Sequence, residues 1–276
     1  MISLMYAGNR NVFDGLIISA VSAAKNVSQP LEVFILTMDF SELDPAYVPI
    51  TEEQRAFLER IYQRKNPESR VRLIDAGPLY KEVMLGSPNA LTSYTPYTFL
   101  RLFADKIPEI PDKILYLDTD TLIASDIAPL FETDIENYEL AAALDYYGHI
   151  FMGYHYFNAG VLLLNMKAIR AGGLFCRAAE LCARKKLFLP DQTALYRLCR
   201  HKLILPGKYN EQKHYKDGTV IQHFSKTILW LPYFHTRNIK PWQTKSVREV
   251  LTHRYDDILE EYEKEKERFE EYADAK

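Results

Sequence analysis

The stretch KILYLDTDTLIASDIAPLF, starting at Lys113, sets an apolar run, Ile114 to Leu117, directly before two aspartates one residue apart, Asp118 and Asp120. On an extended chain, side chains at i and i+2 point the same way. Two carboxylates so placed can ligate one hard cation, and Mg²⁺ or Mn²⁺ shares its oxygen sphere with substrate phosphates. An added imidazole favours Mn²⁺ over Mg²⁺. His223, closing the short apolar segment VIQH, is the candidate third ligand.

Two other readings of the same residues stand beside this one. DTDTL fits the Asp-x-Asp-x-Thr nucleophile motif of haloacid-dehalogenase-like phosphatases, with Asp118 attacking phosphorus. That motif usually opens its domain, yet about 110 residues precede it here. The only paired aspartates downstream, in RYDDIL, sit in a charged helical segment. The third reading is structural, because aspartate caps turns and helices well.

The elements that must position these residues are legible in outline. Ile2–Ala7, Leu31–Met38 and VRLIDAG read as buried strands, each a continuous apolar run. FDGLIISAVSAAKN and the segment opened by Thr51 have helical spacing, with Thr51 as the N-cap. A helix is expected after Pro96, ending before Pro108. LAAALDYYG is another apolar run, ending at Asp145. An aromatic turn, YHYFNAG, leads into a strand, followed by one helix from Lys167 to about Lys186 and another from Pro190. Val220–Phe224 is a short strand. Tyr255, Leu259, Tyr262, Phe269 and Tyr272 form one stripe on a charged C-terminal helix, read as solvated and packed by one face. Alternating strands and helices imply an α/β fold with a mainly parallel sheet, which binds ligands beyond the strands' C-terminal ends.

Composition narrows the classes. The chain has 276 residues, 47% apolar and 26% charged, with a net charge of -3. That balance gives no electrostatic case for nucleic acid. No stretch has the length of a transmembrane helix. MISLMYAGNRN lacks the basic and apolar regions of a signal peptide. Three cysteines without zinc spacing read as reduced, so a cytoplasmic setting is expected.

YLDTDTLIASDIAPLF, YFNAGVLLLN, PDQTAL and HF…KPW stand in the order of the retaining glycosyltransferases of family 8, the family of glycogenin and bacterial lipooligosaccharide galactosyltransferases, which this chain resembles from about Ile2 to Trp242. The resemblance implies a GT-A-type fold, a Rossmann-like mainly parallel sheet flanked by helices. It implies one transferase domain over residues 1–276, with a core to about 245 and an acidic helical extension from about 246. It also implies a UDP-sugar donor, with glucose or galactose the sugar, and a carbohydrate or glycoconjugate acceptor.

Residue by residue, Asp118, Asp120 and His223 match the family's metal ligands, with Mn²⁺ the implied ion. Ala7, Asn9 and Asn11 match the uridine loop, although AGNRN is also a turn-forming composition. Arg101 matches an arginine near the donor. Asp145, Asn158, Asp191 and Gln192 match positions around the donor sugar, with Gln192 beside the anomeric carbon; Asp191 could equally cap its helix. Lys240, in KPW, matches the diphosphate lysine. Between His223 and Lys240 this chain carries an insertion, FSKTILWLPYFHTRNI, which either forms a lid or an acceptor wall or shifts Lys240 away, with Lys226 as the alternative diphosphate contact. A catalytically degenerate sugar-nucleotide-binding protein is the non-enzyme reading. The acid-rich tail implies at most weak peripheral membrane contact.

Overall fold

A computed structural model of the chain describes residues 1–89, 95–213, 215–229 and 235–274. The first half alternates as expected through β1 (Ile2–Ala7), α1 (Phe13–Asn26), β2 (Leu31–Thr37), α2 (Glu52–Gln63) and β3 (Arg70–Asp75), and then adds a helix the sequence reading did not include, α3 (Gly77–Met84). A 3-10 stretch, Pro96–Lys106, leads to β4 (Lys113–Leu117), β5 (Thr121–Ile123), α4 (Ala128–Phe131) and β6 (Leu140–Leu144). Then come α5 (Gly148–Phe151), β7 (Phe157–Asn165), α6 (Met166–Gly172), α7 (Leu174–Arg184), α8 (Pro190–Leu198) and β8 (Lys202–Leu205). The chain closes with β9 (Ile221–His223), β10 (Thr227–Leu229), β11 (His235–Arg237), α9 (Thr244–Leu251) and α10 (Asp256–Asp274).

The main sheet runs β3-β2-β1-β4-β7-β6-β8. Its pairings are parallel except around β7, which is antiparallel to both β4 and β6. That reversal matters for the site. β7 begins at the sheet edge where β1, β4 and β6 end, so its first residues face the ends of its neighbours. Leu117 pairs with Val161, and the Asp118 N–H donates to the Gly160 carbonyl at 2.8 Å.

Side-chain alternation feeds two cores. Leu115 and Leu117 join β1 and β2 side chains under α1, α2 and α10, while Ile114 and Tyr116 join the 3-10 stretch, α7 and α8 on the other face. Both faces being covered explains why β1, β4 and β7 read as unbroken apolar runs. Thr51 caps α2 in a reciprocal box with Gln54, as its sequence predicts.

Two expectations change. The single helix from Lys167 to about Lys186 is two helices, broken at Gly173 with φ 61°. Glycine takes that left-handed conformation without a Cβ penalty, so the chain turns there. The helix after Pro96 is wound as a 3-10 stretch. The insertion before KPW contains an antiparallel hairpin, with Thr227 paired to Arg237. Trp230–Phe234, within that insertion, and Ser93–Tyr94, in the SYTPY segment, lie outside the described residues. Among the described residues, no helix is long and apolar enough to cross a membrane.

The acidic C-terminal helix packs by one face, with Leu259 and Tyr262 buried. It also buries Glu265 completely. Arg64, from the end of α2, meets that carboxylate with two nitrogens at 2.8 and 2.6 Å, and Arg268 adds a third contact. Burial alone would raise the Glu265 pKa, but the two guanidinium groups outweigh it and hold the carboxyl below its usual range. A depressed carboxylate contributes stability above its unfolded pKa of about 4.3 and loses it as pH falls through the folded value. Glu265→Gln should therefore lower the urea midpoint at pH 7, and the gap to wild type should narrow at pH 3.5. An equal gap at both pH values would contradict this role.

Candidate functional site

After β4 the chain turns back on itself. The Thr121 N–H and hydroxyl both bond the Asp118 carbonyl, at 3.2 and 2.8 Å. β5 then pairs antiparallel with β9, and Thr121 stands opposite His223. This pairing carries an imidazole to the two aspartates across a sequence gap of about a hundred residues. One ligand atom from each of Asp118, Asp120 and His223 lies within 4.8 Å of the others. His223 Nε2 is 3.2 Å from Asp120 Oδ1 and 3.8 Å from Asp118 Oδ2.

The imidazole is held from behind. Its Nδ1 lies 3.0 Å from Asn210 Oδ1, and the Asn210 amide donates to Asn158 Oδ1 at 3.0 Å. With the Asn210 oxygen accepting, Nδ1 carries a proton, and Nε2 is the nitrogen turned toward the aspartates. Gly160 lies beneath the cluster. A Cβ there would meet His223 Cε1 at 2.2 Å and Asp118 Oδ2 at 2.8 Å, so glycine is the residue that leaves room. Gly15 on α1 does the same for the turn, because a Cβ would strike the Thr119 carbonyl at 2.2 Å and Trp242 at 2.9 Å.

Opposing charges dominate the electrostatics. Lys240 Nζ lies 2.6 Å from Asp120 Oδ2. Burial would push the Asp120 pKa up, but His223 and Lys240 outweigh it and hold the carboxyl well below the usual range. Burial pulls the His223 pKa down, and the two aspartates reverse that, leaving it raised. Arg101 is only 3% exposed. It places one nitrogen 3.3 Å from Asp118 and 3.0 Å from Asp191, donates to the Ala159 carbonyl at 2.5 Å and lies 4.2 Å above the Tyr116 ring. Burial disfavours its charge, but Tyr116, Asp118 and Asp191 more than compensate. Asp191 is pushed up by burial, with Arg101 opposing. Its side chain faces Arg101 and also accepts from backbone N–H groups of the first turn of α8, Gln192 among them.

A second network lies alongside. Asp145 Oδ1 accepts from the Tyr147 and Gly148 N–H groups at 3.2 and 2.6 Å. Its Oδ2 accepts from the Asn158 and Gln192 amides at 3.0 and 3.2 Å. Gln192 Oε1 in turn accepts from the Ala159 N–H at 3.0 Å. Asp118, Asp120, His223, Lys240, Arg101, Asp191, Asn158, Gln192 and Asp145 are thus joined by direct contacts through β7.

The uridine-loop candidates lie differently. Ala7 ends β1. Asn9 is buried and accepts from the Asn11 N–H, capping the short 3-10 turn Arg10–Val12. Both amide side chains reach the Ala46 carbonyl, at 3.4 and 3.2 Å. The turn-forming role of AGNRN is therefore present. Of the two lysines, Lys240 enters the cluster and Lys226 is exposed. Sequence reasoning missed Asn210, which no motif marks, and gave Gly160 no role although FNAG contains it. The phosphatase reading loses its second acidic pair: Asp256 is bound to Arg248 and His253, and Asp257 to Lys25.

Comparison with known proteins agrees with this geometry. The sequence profile of glycosyl transferase family 8 matches residues 3–246. GlyE of Streptococcus pneumoniae, a glycosyltransferase, is 42% identical over 187 residues, which cover 63% of this chain and 44% of GlyE. GlyA of the same organism, also a glycosyltransferase, is 38% identical over 122 residues, covering 43% of this chain and 17% of GlyA. The chain thus spans less than half the length of these relatives. The fold matches the galactosyltransferase LgtC in complex with donor and acceptor sugar analogs, with a TM-score of 0.67, 19% identity and coverage of 94% and 96% of the two chains. With the α/β sheet and the acidic cluster in place, the profile match over most of the chain settles the family: the chain belongs to glycosyl transferase family 8.

Proposed function

We propose that this protein transfers a hexose, glucose or galactose, from a UDP-sugar to an acceptor hydroxyl with retention at the anomeric carbon. The observation that carries the reading is the Asp118–Asp120–His223 cluster at the sheet's C-terminal edge, contiguous with the Asn158–Gln192–Asp145 network. The same reading treats residues 1–276 as one transferase domain in the cytoplasm, with α9 and α10 as its helical extension.

The donor set fits a divalent cation: two carboxylates, one imidazole with its tautomer fixed from behind, and a glycine where a side chain would fill the space. The imidazole favours Mn²⁺ over Mg²⁺. When bound, the ion supplies Lewis-acid neutralisation of the charge that develops on the departing diphosphate.

The chain's own residues do the rest. Lys240 keeps a positive charge beside Asp120, where a diphosphate oxygen would approach. Arg101 balances Asp118 and Asp191, so that the buried acids are held in place without mutual repulsion. Asn158 and Gln192 offer amides to sugar hydroxyls. Retention usually draws attention to a carboxylate nucleophile. Here Gln192 occupies that position, Asp191 is locked on Arg101, and Asp145 already accepts from four donors. Those constraints favour a front-face route: UDP departs, the acceptor hydroxyl attacks from the same side, and its proton passes to the leaving phosphate oxygen.

Incubation with UDP-glucose or UDP-galactose and Mn²⁺ should release UDP slowly without acceptor, and EDTA should stop it. Absence of both binding and turnover across a UDP-sugar panel would overturn the proposal. Asp120→Asn should abolish Mn²⁺-dependent UDP binding, read by calorimetry, while the circular dichroism spectrum is retained. Asn210→Ala should weaken Mn²⁺ binding by about 10- to 100-fold through loss of the imidazole's support. Mn²⁺ affinity equal to wild type would remove Asn210 from that role.

A further inference from the structure

Beside His223 lies an open cleft, bounded by the described strands of the β10–β11 hairpin, β9 and α9. Its floor is apolar, formed by Phe224, Ile239, Val247, Val250 and Leu251. Two cationic residues line it, Lys213 and Arg237. Ser225 and Thr227 add hydroxyl groups at the hairpin base. Among the described residues, no carboxylate lines it. That is notable in a chain with more acidic than basic residues.

The polar groups here divide into used and unused. Gln212 donates to the Leu144 carbonyl and accepts from Tyr146 N–H, and Gln222 is bonded to Glu211 and Tyr255, so neither glutamine is free for a ligand. The nearby buried acid Glu211 is paired with Lys216 at 2.8 Å. Lys213 donates to the Tyr146 hydroxyl at 3.1 Å, a neutral partner that leaves its charge uncompensated. Arg237 is exposed and has no ion-pair partner among the described residues. A cleft with an apolar floor, two uncompensated cations and no acid selects an anion carried on an apolar stem. A phosphate monoester, with a charge of about −1.5 to −2 at neutral pH, matches two cations better than a single carboxylate does.

We propose that this cleft binds the acceptor through a phosphate group attached to an apolar stem, so that the acceptor class is an anionic amphiphile. The acceptor role rests on the transferase reading of the adjacent site; the binding itself does not require transfer. The hairpin inserted between His223 and Lys240 then has a job, since it contributes Thr227 and Arg237 to one wall.

The test is calorimetric titration of the full chain, presaturated with UDP and Mn²⁺, with hexyl phosphate, hexyl β-glucoside, heptanoate and inorganic phosphate. Hexyl phosphate should bind at least tenfold more tightly than each of the others. Arg237→Gln should weaken it by about tenfold, the scale of one charge-assisted hydrogen bond, and leave UDP affinity unchanged. Lys213→Gln should act in the same direction. Equal affinity for hexyl β-glucoside or heptanoate, no loss in either variant, or failure of hexyl phosphate to bind while UDP is bound would each overturn the proposal. Failure of UDP itself to bind would instead count against the transferase reading, which keeps the two outcomes apart.

Discussion

The structure depends on balancing buried negative charge. Asp118, Asp120 and Asp191 stand at the rim of an apolar core, where an unpaired carboxylate costs several kcal/mol. The chain answers with Arg101, His223 and Lys240, each drawn from a different part of the sequence. Arg101 is the central member. It sits between Asp118 and Asp191, stacks on Tyr116 and anchors the β7 backbone at Ala159. A lysine could not reproduce that arrangement, because its point charge lacks the planar fork. The 3-10 stretch that carries Arg101 is thereby fixed to the site as well as to the core.

Backbone direction turns this balance into a usable geometry. A wholly parallel sheet would start every strand at the far edge. The reversed β7 starts at the near edge, so its first residues, Asn158 to Gly160, lie among the ends of β4 and β6. Three consecutive residues then serve three purposes. Asn158 joins Asp145 to Asn210, Ala159 joins Gln192 to Arg101, and Gly160 yields space to His223 and Asp118. Under the proposed reading, one short backbone segment sets the spacing between the metal ligands and the sugar subsite. Side chains locked by such shared contacts hold their geometry better than loop residues would.

The periphery is built with more latitude. The hairpin before Lys240 forms a two-stranded sheet of its own, and the acidic helix α10 packs on α1. The family profile ends at residue 246, so α10 lies beyond the part that this chain shares with the family. Its hold on the molecule includes the Glu265–Arg64 pair, the Asp257–Lys25 and Lys266–Asp14 pairs and an apolar stripe. Segments of that kind can vary between relatives while the charge-balanced core is kept.

Sequence alone determined the α/β class, the order β1, α1, β2, α2, β3 and β4 without α3, and the residue types at the acidic turn. Those features are local: apolar periodicity, caps and i, i+2 spacing act over a few residues. It also supplied Asp118, Asp120 and His223 as a set, but only through resemblance, since nothing local links residue 120 to residue 223. The break at Gly173 was legible in the Gly172–Gly173 pair, a turn signal that the helix reading passed over. Tertiary structure decided the rest. The β5–β9 pairing brought His223 to the aspartates, the reversed β7 placed Asn158 and Gly160, and Asn210 acquired its role by standing behind the imidazole. It also separated Lys240 from Lys226, two lysines that composition and spacing leave equivalent. The physical reason is common to all of these. A hydrogen bond or an ion pair is fixed by position in space, and contacts between distant segments become defined only when the strands that carry them pair.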